Sequence, residues 1–198
     1  MSRNDDETFS SYLVYSRLMT VDREKLLRAA ADFLGRRPNA TQDEIAAAVG
    51  VSRATLHRHF AGKKALMEAL DQLALDEMRK ALKAARLQDD SATEALRRLV
   101  AAWEPSSPYL ALLYSQSQEF DLDQAQGGWA DIDAEVTALF HRGQQSGEFR
   151  PGVTAAWLTE ALYSLVAGAA WAIQAGRVAG RDFNHMITDL LLHGVSTS

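Results

Sequence analysis

The stretch GVSRATLHRHF, residues 50–60, concentrates side chains that can bind a polyanion. It holds two arginines, two histidines, a serine and a threonine, all of which can hydrogen-bond to phosphate oxygens or to the edges of bases. An acidic residue would repel a phosphate, and none occurs between Val51 and Ala65. The stretch is therefore either a solvated, charged surface turn or part of a surface that contacts nucleic acid, and the flanking elements have to decide between the two.

The neighbouring residues predict two short helices joined by a tight turn. Thr41 begins the sequence TQDE, a capping box in which the Thr41 hydroxyl and the Glu44 side chain cap the start of a helix reciprocally. Gly50 can adopt a positive φ in the turn. Ser52 is a second N-cap, which starts a helix over about Arg53–His59. This arrangement is the helix-turn-helix motif, whose second helix enters the major groove of DNA.

Close packing of the two helices assigns a direction to each side chain. Ala46 and Leu56 point inward, together with Ile45, Val49 and Val51. The side chains left to face outward are Ser52, Arg53, Thr55, His57 and Arg58. Because the N-terminal end of the second helix points into the groove, Arg53 and Thr55 are predicted to contact bases. The residues predicted to hold phosphates are Thr41, His57 and Lys63.

The distribution of charge favours a local contact with a polyanion. The chain of 198 residues has a net charge of -5, which excludes a uniformly basic coat. Residues 22–65 nevertheless carry nine Lys and Arg against five Asp and Glu, whereas residues 66–198 carry ten against eighteen. A small cationic module on an acidic body is typical of a protein that binds nucleic acid through one region only.

Helical periodicity persists along the chain and predicts an all-α fold. The apolar face of a first helix is Leu26, Leu27, Ala30, Phe33 and Leu34, and Gly35 is expected to end this helix as a C-cap residue. A long fourth helix is expected from about Gly62 to Arg86. The later helices are predicted over residues 93–103, 109–120, 129–145, 155–177 and 181–193, about nine helices in all.

Three regions follow from these patterns. Residues 1–20 have no clear period and are expected to be an N-terminal extension and a candidate for disorder, with Met19 as an alternative start of translation. Residues 21–66 are the predicted helix-turn-helix domain. Residues 67–198 are the predicted larger helical domain, and its role in effector binding and dimerisation is implied only by a family resemblance that residues 41–70 carry.

The segment TQDEIAAAVGVSRATLHRHFAGKKALMEAL, residues 41–70, resembles the DNA-binding head of the TetR-type transcriptional regulators. That head has a capping Thr, an Ile-Ala pair, Gly-Val-Ser, a Leu-Tyr-x-His-Phe run, and a Lys followed by a Leu. The matching positions here are Thr41, Ile45 and Ala46, Gly50 to Ser52, Leu56 to Phe60, Lys63 and Leu66. The departure is His57, where the family has a tyrosine that contacts a phosphate; histidine can donate a similar bond, which weakens above its ordinary pKa of about 6.5.

The resemblance implies a homodimeric repressor that binds a palindromic operator and is released by a small molecule. The aromatic content of the larger domain suggests an apolar or aromatic effector, and the candidate ligand residues are Trp103, Tyr109, Leu113, Trp129, Phe140, Trp157 and Trp171. The last two helices would form a four-helix bundle between subunits, with candidate contacts at Leu165, Ala169, Phe183, Ile187, Leu190 and Leu191. The alternative for each residue of the ligand set is a plain core or interface position. The alternative for the last two helices is that both cover the core of their own subunit.

Other functions find less support in the residues. No HExxH, Walker loop, nucleophile elbow or paired-carboxylate motif occurs, so an enzyme is not expected. His57 and His59 point about 200° apart on a helix and cannot share one metal ion, and no cofactor or metal is expected. The acidic start lacks a secretory signal, and the uncharged run 161–176 is shorter than the roughly 20 residues of a membrane span, which favours the cytoplasm and no membrane contact. The alternative to a regulator is a helical interaction module that uses its basic head on a protein partner.

Overall fold

The computed structural model describes residues 23–116 and 128–195, and within these ranges the chain is helical with no β-strand. The all-α prediction is therefore confirmed for the described residues. The helices are α1 (Arg23–Arg36), α2 (Gln42–Ala48), α3 (Arg53–His59), α4 (Lys63–Ala85), α5 (Ala92–Trp103), α6 (Ser107–Gln116), α7 (Trp129–Gln145), α8 (Ala155–Gln174) and α9 (Phe183–Val195). The expected extension over residues 1–20 and the end of the helix predicted up to Phe120 lie outside the described residues.

The first three helices and the start of α4 enclose one apolar core, which we call the head core. Leu56 of α3 is at its centre and is fully buried, beside Ile45 and Ala46 of α2. The head core extends along α4 as far as Ala74 and includes Tyr109 and Leu112 of α6. The predicted domain boundary after residue 66 remains a prediction. The head core does not end at that residue, because α4 and α6 contribute side chains from later in the chain.

A second apolar core, the body core, is built from α4, α5, α7, α8 and α9. Its fully buried members include Met78 of α4, Trp103 of α5, Phe140 of α7 and Phe183 of α9. Burial of each such side chain contributes about 1.5–3 kcal/mol. Because α4 supplies residues to both cores, any displacement of the body that moves α4 also moves the head.

The expectation that Gly35 ends α1 is wrong. The helix continues to Arg36, so Gly35 lies inside it. A Cβ atom at position 35 would come within 2.8 Å of Oε1 of Gln174, the last residue of α8. The nearest atoms to this position belong to the flexible end of the Gln174 side chain, so a helix from the body lies beside Gly35.

Two arginines fix the C-terminal end of α4. Arg98 donates from Nε to the carbonyl of Ala85 at 2.9 Å and from Nη2 to that of Asp89 at 2.9 Å. Arg142 donates from Nη2 to the carbonyl of Leu87 at 2.6 Å. These bonds satisfy carbonyl groups at and beyond the end of the helix, where no intrahelical partner exists. The body therefore holds the far end of α4 in a defined position.

Helix α8 is long and apolar enough, by length and composition, to cross a membrane. The core helix of a globular protein passes the same test. In this molecule α8 packs against α6, α7 and α9, so contacts within the chain account for one side of its apolar surface.

Candidate nucleic-acid interface

The turn between α2 and α3 is built from local hydrogen bonds that the sequence predicts. Thr41 and Glu44 form the expected capping box at the start of α2. Gly50 adopts a φ of +74°, which side chains with a Cβ rarely adopt, and the Val51 amide donates to the Ala46 carbonyl at 3.0 Å. Ser52 caps α3 by accepting from the Thr55 amide at 3.1 Å. These bonds set the angle at which α3 leaves α2.

Helix α3 has one buried side and one exposed side. Leu56 is completely buried, and Phe60, just after the helix, is 2% exposed. The side chains predicted to face outward are exposed at Ser52, Arg53, His57 and Arg58 and partly exposed at Thr55. The structure therefore brings together on one surface the five outward residues of the predicted set.

An acidic residue lies beside this surface, and sequence reasoning missed it. Asp43, on α2, accepts a hydrogen bond from Nη1 of Arg53 at 3.2 Å. The side chains of Arg53 and Asp43 are 70% and 62% exposed. The search for acidic residues covered only Val51–Ala65, whereas the fold brings the first turn of α2 next to the first residue of α3.

Two predicted phosphate contacts already have partners within the protein. The Thr41 hydroxyl lies 2.8 Å from Glu44 Oε2 and accepts from the Glu44 amide at 3.3 Å. The hydrogen bonds from the Thr41 amide and hydroxyl lower the pKa of Glu44. Lys63 donates from Nζ to the carbonyl of Pro38 at 3.1 Å. A phosphate contact by Thr41 requires exchange of its bond to Glu44, while the ammonium of Lys63 keeps two further protons for a second acceptor.

Polar contacts join the head to the body around Tyr109 and Arg28. Arg28 of α1 donates to Glu77 of α4 at 3.1 Å and lies 3.5 Å from the hydroxyl of Tyr109 on α6. Tyr109 is 5% exposed and belongs to the head core, and burial raises the pKa of its hydroxyl. Tyr109 therefore lies at the junction of three helices, where it packs in the head core.

Trp129 forms a second link to α4. Its indole Nε1 donates to Oδ1 of Asp71 at 3.1 Å. Burial raises the pKa of Asp71, although the hydrogen bond from Trp129 partly opposes this effect. The ring of Trp129 packs against both the head core and the body core, so α7 contacts α4 at the level where the two cores meet.

Two other predicted ligand residues lie in the body core. Trp103 is fully buried with its ring 5.7 Å from that of Tyr163, and its indole Nε1 has no hydrogen-bond partner among the described residues. Phe140 is also fully buried, with its ring 5.9 Å from that of Phe149. Leu113 lies on α6, and its side chain is outside the described part of the chain.

The predicted ligand residues Trp157 and Trp171 lie on the surface of the chain, and their part in a ligand site stays a prediction. Trp157 is 64% exposed and Trp171 is 50% exposed, both on the outer side of α8. The guanidinium of Arg177 lies 4.6 Å from the centre of the Trp171 ring. The helical repeat places these residues opposite the side that packs in the body core.

The predicted dimer residues divide between the core and the surface. Phe183, Ile187 and Leu191 are 0%, 1% and 5% exposed in the body core, so within one subunit they cover its own core, and their part in a subunit contact stays a prediction. Leu165 and Ala169 are partly buried against the same core. Leu190 is 62% exposed. The exposed apolar side chains of α8 and α9, Trp157, Trp171 and Leu190, we call the outer face.

A polar groove of about 340 Å³ lies where α5, the α7–α8 connection and α9 meet. It is lined by Thr93, Arg97, Glu148, Phe149, His185, Thr188, Asp189, Leu192 and His193. Glu148 accepts from the backbone amides of Ala92 and Thr93 at 3.0 and 2.9 Å. Its carboxylate therefore caps α5, and none of the seven predicted ligand residues lines this groove.

Comparisons with known proteins agree with this arrangement of head and body. Residues 26–70 match the family described as bacterial regulatory proteins, tetR family. Over 175 residues the chain is 35% identical to the HTH-type transcriptional regulator NfxB of Pseudomonas aeruginosa, covering 87% of this chain and 94% of NfxB. It is 27% identical over 179 residues to the HTH-type transcriptional repressor LfrR of Mycolicibacterium smegmatis, covering 88% of each protein.

A solved structure has the same fold. The TetR-like transcriptional regulator LfrR from Mycobacterium smegmatis, in complex with proflavine, matches 89% of this chain and 97% of its own chain with a TM-score of 0.71 and 23% identity. The family match covers the part of the chain that forms α1 to the start of α4, and the similarity to NfxB extends through the body. The chain is therefore a member of the TetR family of bacterial regulatory proteins, a DNA-binding transcriptional regulator.

Proposed function

We propose that the protein is a homodimeric repressor that binds a palindromic operator and leaves it when a small apolar or aromatic effector enters the helical body. The observation that carries this proposal is the exposed polar side of α3, which begins at Arg53 and has Leu56 anchored beneath it. A helix presented in this way fits the major groove of B-DNA. By occupying the operator in the cytoplasm, the dimer would exclude RNA polymerase.

Each of the predicted DNA-contact residues of the head has a role in this proposal. Arg53 and Thr55, at the N-terminal end of α3, contact base edges, and Ser52 and Arg58 flank them. Arginine forms two parallel hydrogen bonds to guanine O6 and N7. The phosphate contacts are Thr41, His57 and Lys63, at the start of α2, on the exposed side of α3 and at the start of α4. These contacts set register and affinity, whereas the base contacts provide sequence preference.

The outer face supports dimerisation through α8 and α9. Three large apolar side chains of α8 and α9 are at least half exposed, namely Trp157, Trp171 and Leu190. A group of exposed apolar side chains of this size is unusual on a surface that contacts only water. Gly168 and the partly buried Ala169 lie between the tryptophans on α8, where small residues allow a second helix to approach closely. A two-fold axis at this face brings α8 and α9 of both subunits into a four-helix bundle. The two copies of α3 would then read half-sites about one DNA turn apart.

The body core supports an effector site near Trp103. Its buried indole N–H has no partner among the described residues, and a buried donor without an acceptor is unfavourable. An effector with an aromatic surface and an acceptor atom would pack against Tyr163 and satisfy this donor. The structure of LfrR in complex with proflavine, a planar aromatic molecule, agrees with an effector of this class.

Helix α4 would transmit effector binding to the head. Its far end is held by Arg98 and Arg142, and its middle is linked to α7 by Asp71 and to α1 by Glu77. An effector that displaces α7 or α5 therefore displaces α4 and its attached head. The effector favours the state in which the two reading helices no longer match the half-site spacing.

The first experiment is a DNase footprinting titration of the purified full-length protein on the DNA that flanks its own gene, at two salt concentrations. We expect a protected palindrome and binding in the nanomolar range that weakens steeply with salt. The double variant Arg53→Ala, Thr55→Ala should lose the preference for this DNA while keeping its helical circular dichroism spectrum. Arg97→Ala, which removes one positive charge from the exposed part of the body, is the control and should bind as the wild type does.

The outcomes separate the proposed regulator from an interaction module. If the double variant keeps its preference for the protected sequence, the assignment of α3 as the reading helix fails. If the wild type binds all DNA weakly and equally, selection from a pool of genomic fragments tests for an operator elsewhere. The absence of any enriched palindrome in that pool would favour a protein partner for the head.

A further inference from the structure

The ion pair between Arg53 and Asp43 joins two helices of the head at the surface that faces DNA. Nη1 of Arg53 lies 3.2 Å from Oδ2 of Asp43, and both side chains are mostly exposed. An exposed pair of this kind adds little to stability, because solvent screens the attraction and ordering two side chains opposes it. The ion pair by itself is therefore a weak contribution to the stability of the fold.

Asp43 also has an unfavourable effect on any contact with DNA. Its carboxylate lies next to the proposed base-reading residue and repels nearby phosphates. The pair reduces the positive charge that Arg53 offers to an arbitrary phosphate, which lowers the affinity for DNA of any sequence. Asp43 lies in the first turn of α2, where a carboxylate interacts favourably with the helix dipole. Its pairing with Arg53 gives it a second effect that a neutral side chain would not have.

The geometry of arginine suggests that second effect. The guanidinium has five N–H donors in a rigid plane, and Asp43 accepts from Nη1 alone. The Nη2 edge stays available for the two acceptors of a guanine, while the pair restricts the rotation of a long side chain. A side chain that is oriented before binding loses less conformational entropy when it binds.

We propose that Asp43 is a specificity-determining residue, which orients Arg53 for guanine and lowers the affinity of the head for non-operator DNA. This inference rests on the proposed function, because it requires Arg53 to read a base in the major groove. Asp43 acts through Arg53 and does not itself contact a base.

The test compares Asp43→Asn with the control Glu68→Gln. Both substitutions remove one negative charge from an exposed position of the head, and Glu68 pairs with Lys64 at 3.8 Å, away from Arg53. Each variant is made in the wild-type chain, and Asp43→Asn is also combined with Arg53→Ala. Dissociation constants are measured for an operator selected with the wild type from random duplexes, for the same operator with each guanine replaced, and for unrelated DNA at several salt concentrations.

We expect Asp43→Asn to bind unrelated DNA several-fold more tightly than Glu68→Gln does. Its dependence on salt should steepen by about one released counterion, because Arg53 becomes free to contact a phosphate. At one guanine of each half-site, discrimination should fall by about threefold or more. In the Arg53→Ala background, Asp43→Asn should leave the base preference unchanged.

Three results would overturn the proposal. Equal effects of Asp43→Asn and Glu68→Gln would mean that only net charge matters. A change in base preference that persists without Arg53 would mean that Asp43 reads a base directly. If the single variant Arg53→Ala, measured alongside, retains the full wild-type base preference, both this proposal and the proposed reading of a base by Arg53 fail. The first two results leave the reading of a base by Arg53 intact. Thermal unfolding of each variant, followed by circular dichroism, confirms that the binding comparisons involve folded protein.

Discussion

Truncation of Trp157 provides a strong test of the proposed dimer. This residue is 64% exposed on α8, at one end of the outer face. In the proposed dimer, Trp157→Ala removes an aromatic contact from both subunits at once, because a two-fold interface uses the same residue twice. The substitution leaves the body core intact, so we expect the variant to fold.

The size of the effect follows from the exposed area. A tryptophan can bury up to about 250 Å², so about 150 Å² of Trp157 is left for a partner to cover. At about 25 cal/mol per Å², full cover contributes up to about 4 kcal/mol per subunit. Partial cover and the remaining methyl group reduce this, and we expect a loss of about 4 kcal/mol for the whole dimer. That corresponds to an increase of about a thousandfold in the dimer dissociation constant.

Sedimentation velocity over a range of protein concentrations measures this constant directly. A wild-type dimer with a constant of about a nanomolar would become one of about a micromolar in the variant. Lys83→Ala, which shortens an exposed side chain of α4, is the control and should remain dimeric. The variant should also protect its operator only at higher concentrations, because the two half-sites are no longer bound by one preformed particle.

A dimer of unchanged strength in Trp157→Ala would refute the placement of the interface on the outer face. A wild-type protein that sediments as a monomer at micromolar concentration would refute the proposed dimer itself. If the variant instead loses its helical signal, Leu190→Ala is the second probe, because Leu190 is 62% exposed and its removal leaves no cavity in the body core.

Two further predictions concern partly buried carboxylates, Glu148 and Asp71. Burial tends to raise the pKa of Glu148, but hydrogen bonds from the amides of Thr93 and Ala92 outweigh it and lower the pKa to about 2. The stabilisation is therefore complete above the ordinary pKa of 4.5 and disappears as the pH falls through about 2. Glu148→Gln should lower the free energy of unfolding, measured in urea at pH 7, by about 1–2 kcal/mol, a value discounted for the partial exposure of the carboxylate. The loss should become progressively smaller below pH of about 4. A loss of stability that does not depend on pH would contradict this prediction. Asp71→Asn removes a partly buried charge and keeps an acceptor for Trp129, so it should leave the free energy of unfolding at pH 7 unchanged or raise it by up to about 1 kcal/mol. Asp71→Ala also removes the acceptor and should lower this free energy by about 1–2 kcal/mol. Equal losses of stability in the two variants would show that the charge itself is required.

The helix-turn-helix could be predicted in detail because its signals are local. The capping box of Thr41, the positive φ of Gly50 and the cap at Ser52 all involve groups within a few residues of each other. Such hydrogen bonds form in much the same way whatever the rest of the chain does. The start and end of α3, which Ser52 caps, agree with the prediction for this reason, and those of α7 agree without a side-chain cap.

Predictions that depended on distant parts of the chain were less accurate. Gly35 suggests a C-cap when only its neighbours are considered, but its partner is Gln174 on another helix. Asp43 and Arg53 are ten residues apart and on different helices, and their pairing depends on the angle between α2 and α3. A search along the sequence for charges near α3 therefore missed the carboxylate that lies beside it.

The residue types of this chain by themselves determined the helical class, the position of α3 in the helix-turn-helix and the set of side chains that it exposes. Helical periodicity also indicated that α8 and α9 are apolar. Only the tertiary structure decided which of those apolar side chains are internal: Phe183, Ile187 and Leu191 are buried in the body core, whereas Trp157, Trp171 and Leu190 face outward. The physical reason is that the hydrophobic effect favours the removal of apolar area from water whatever covers that area. A sequence pattern therefore cannot distinguish a side chain of the core from one on a surface that binds another molecule.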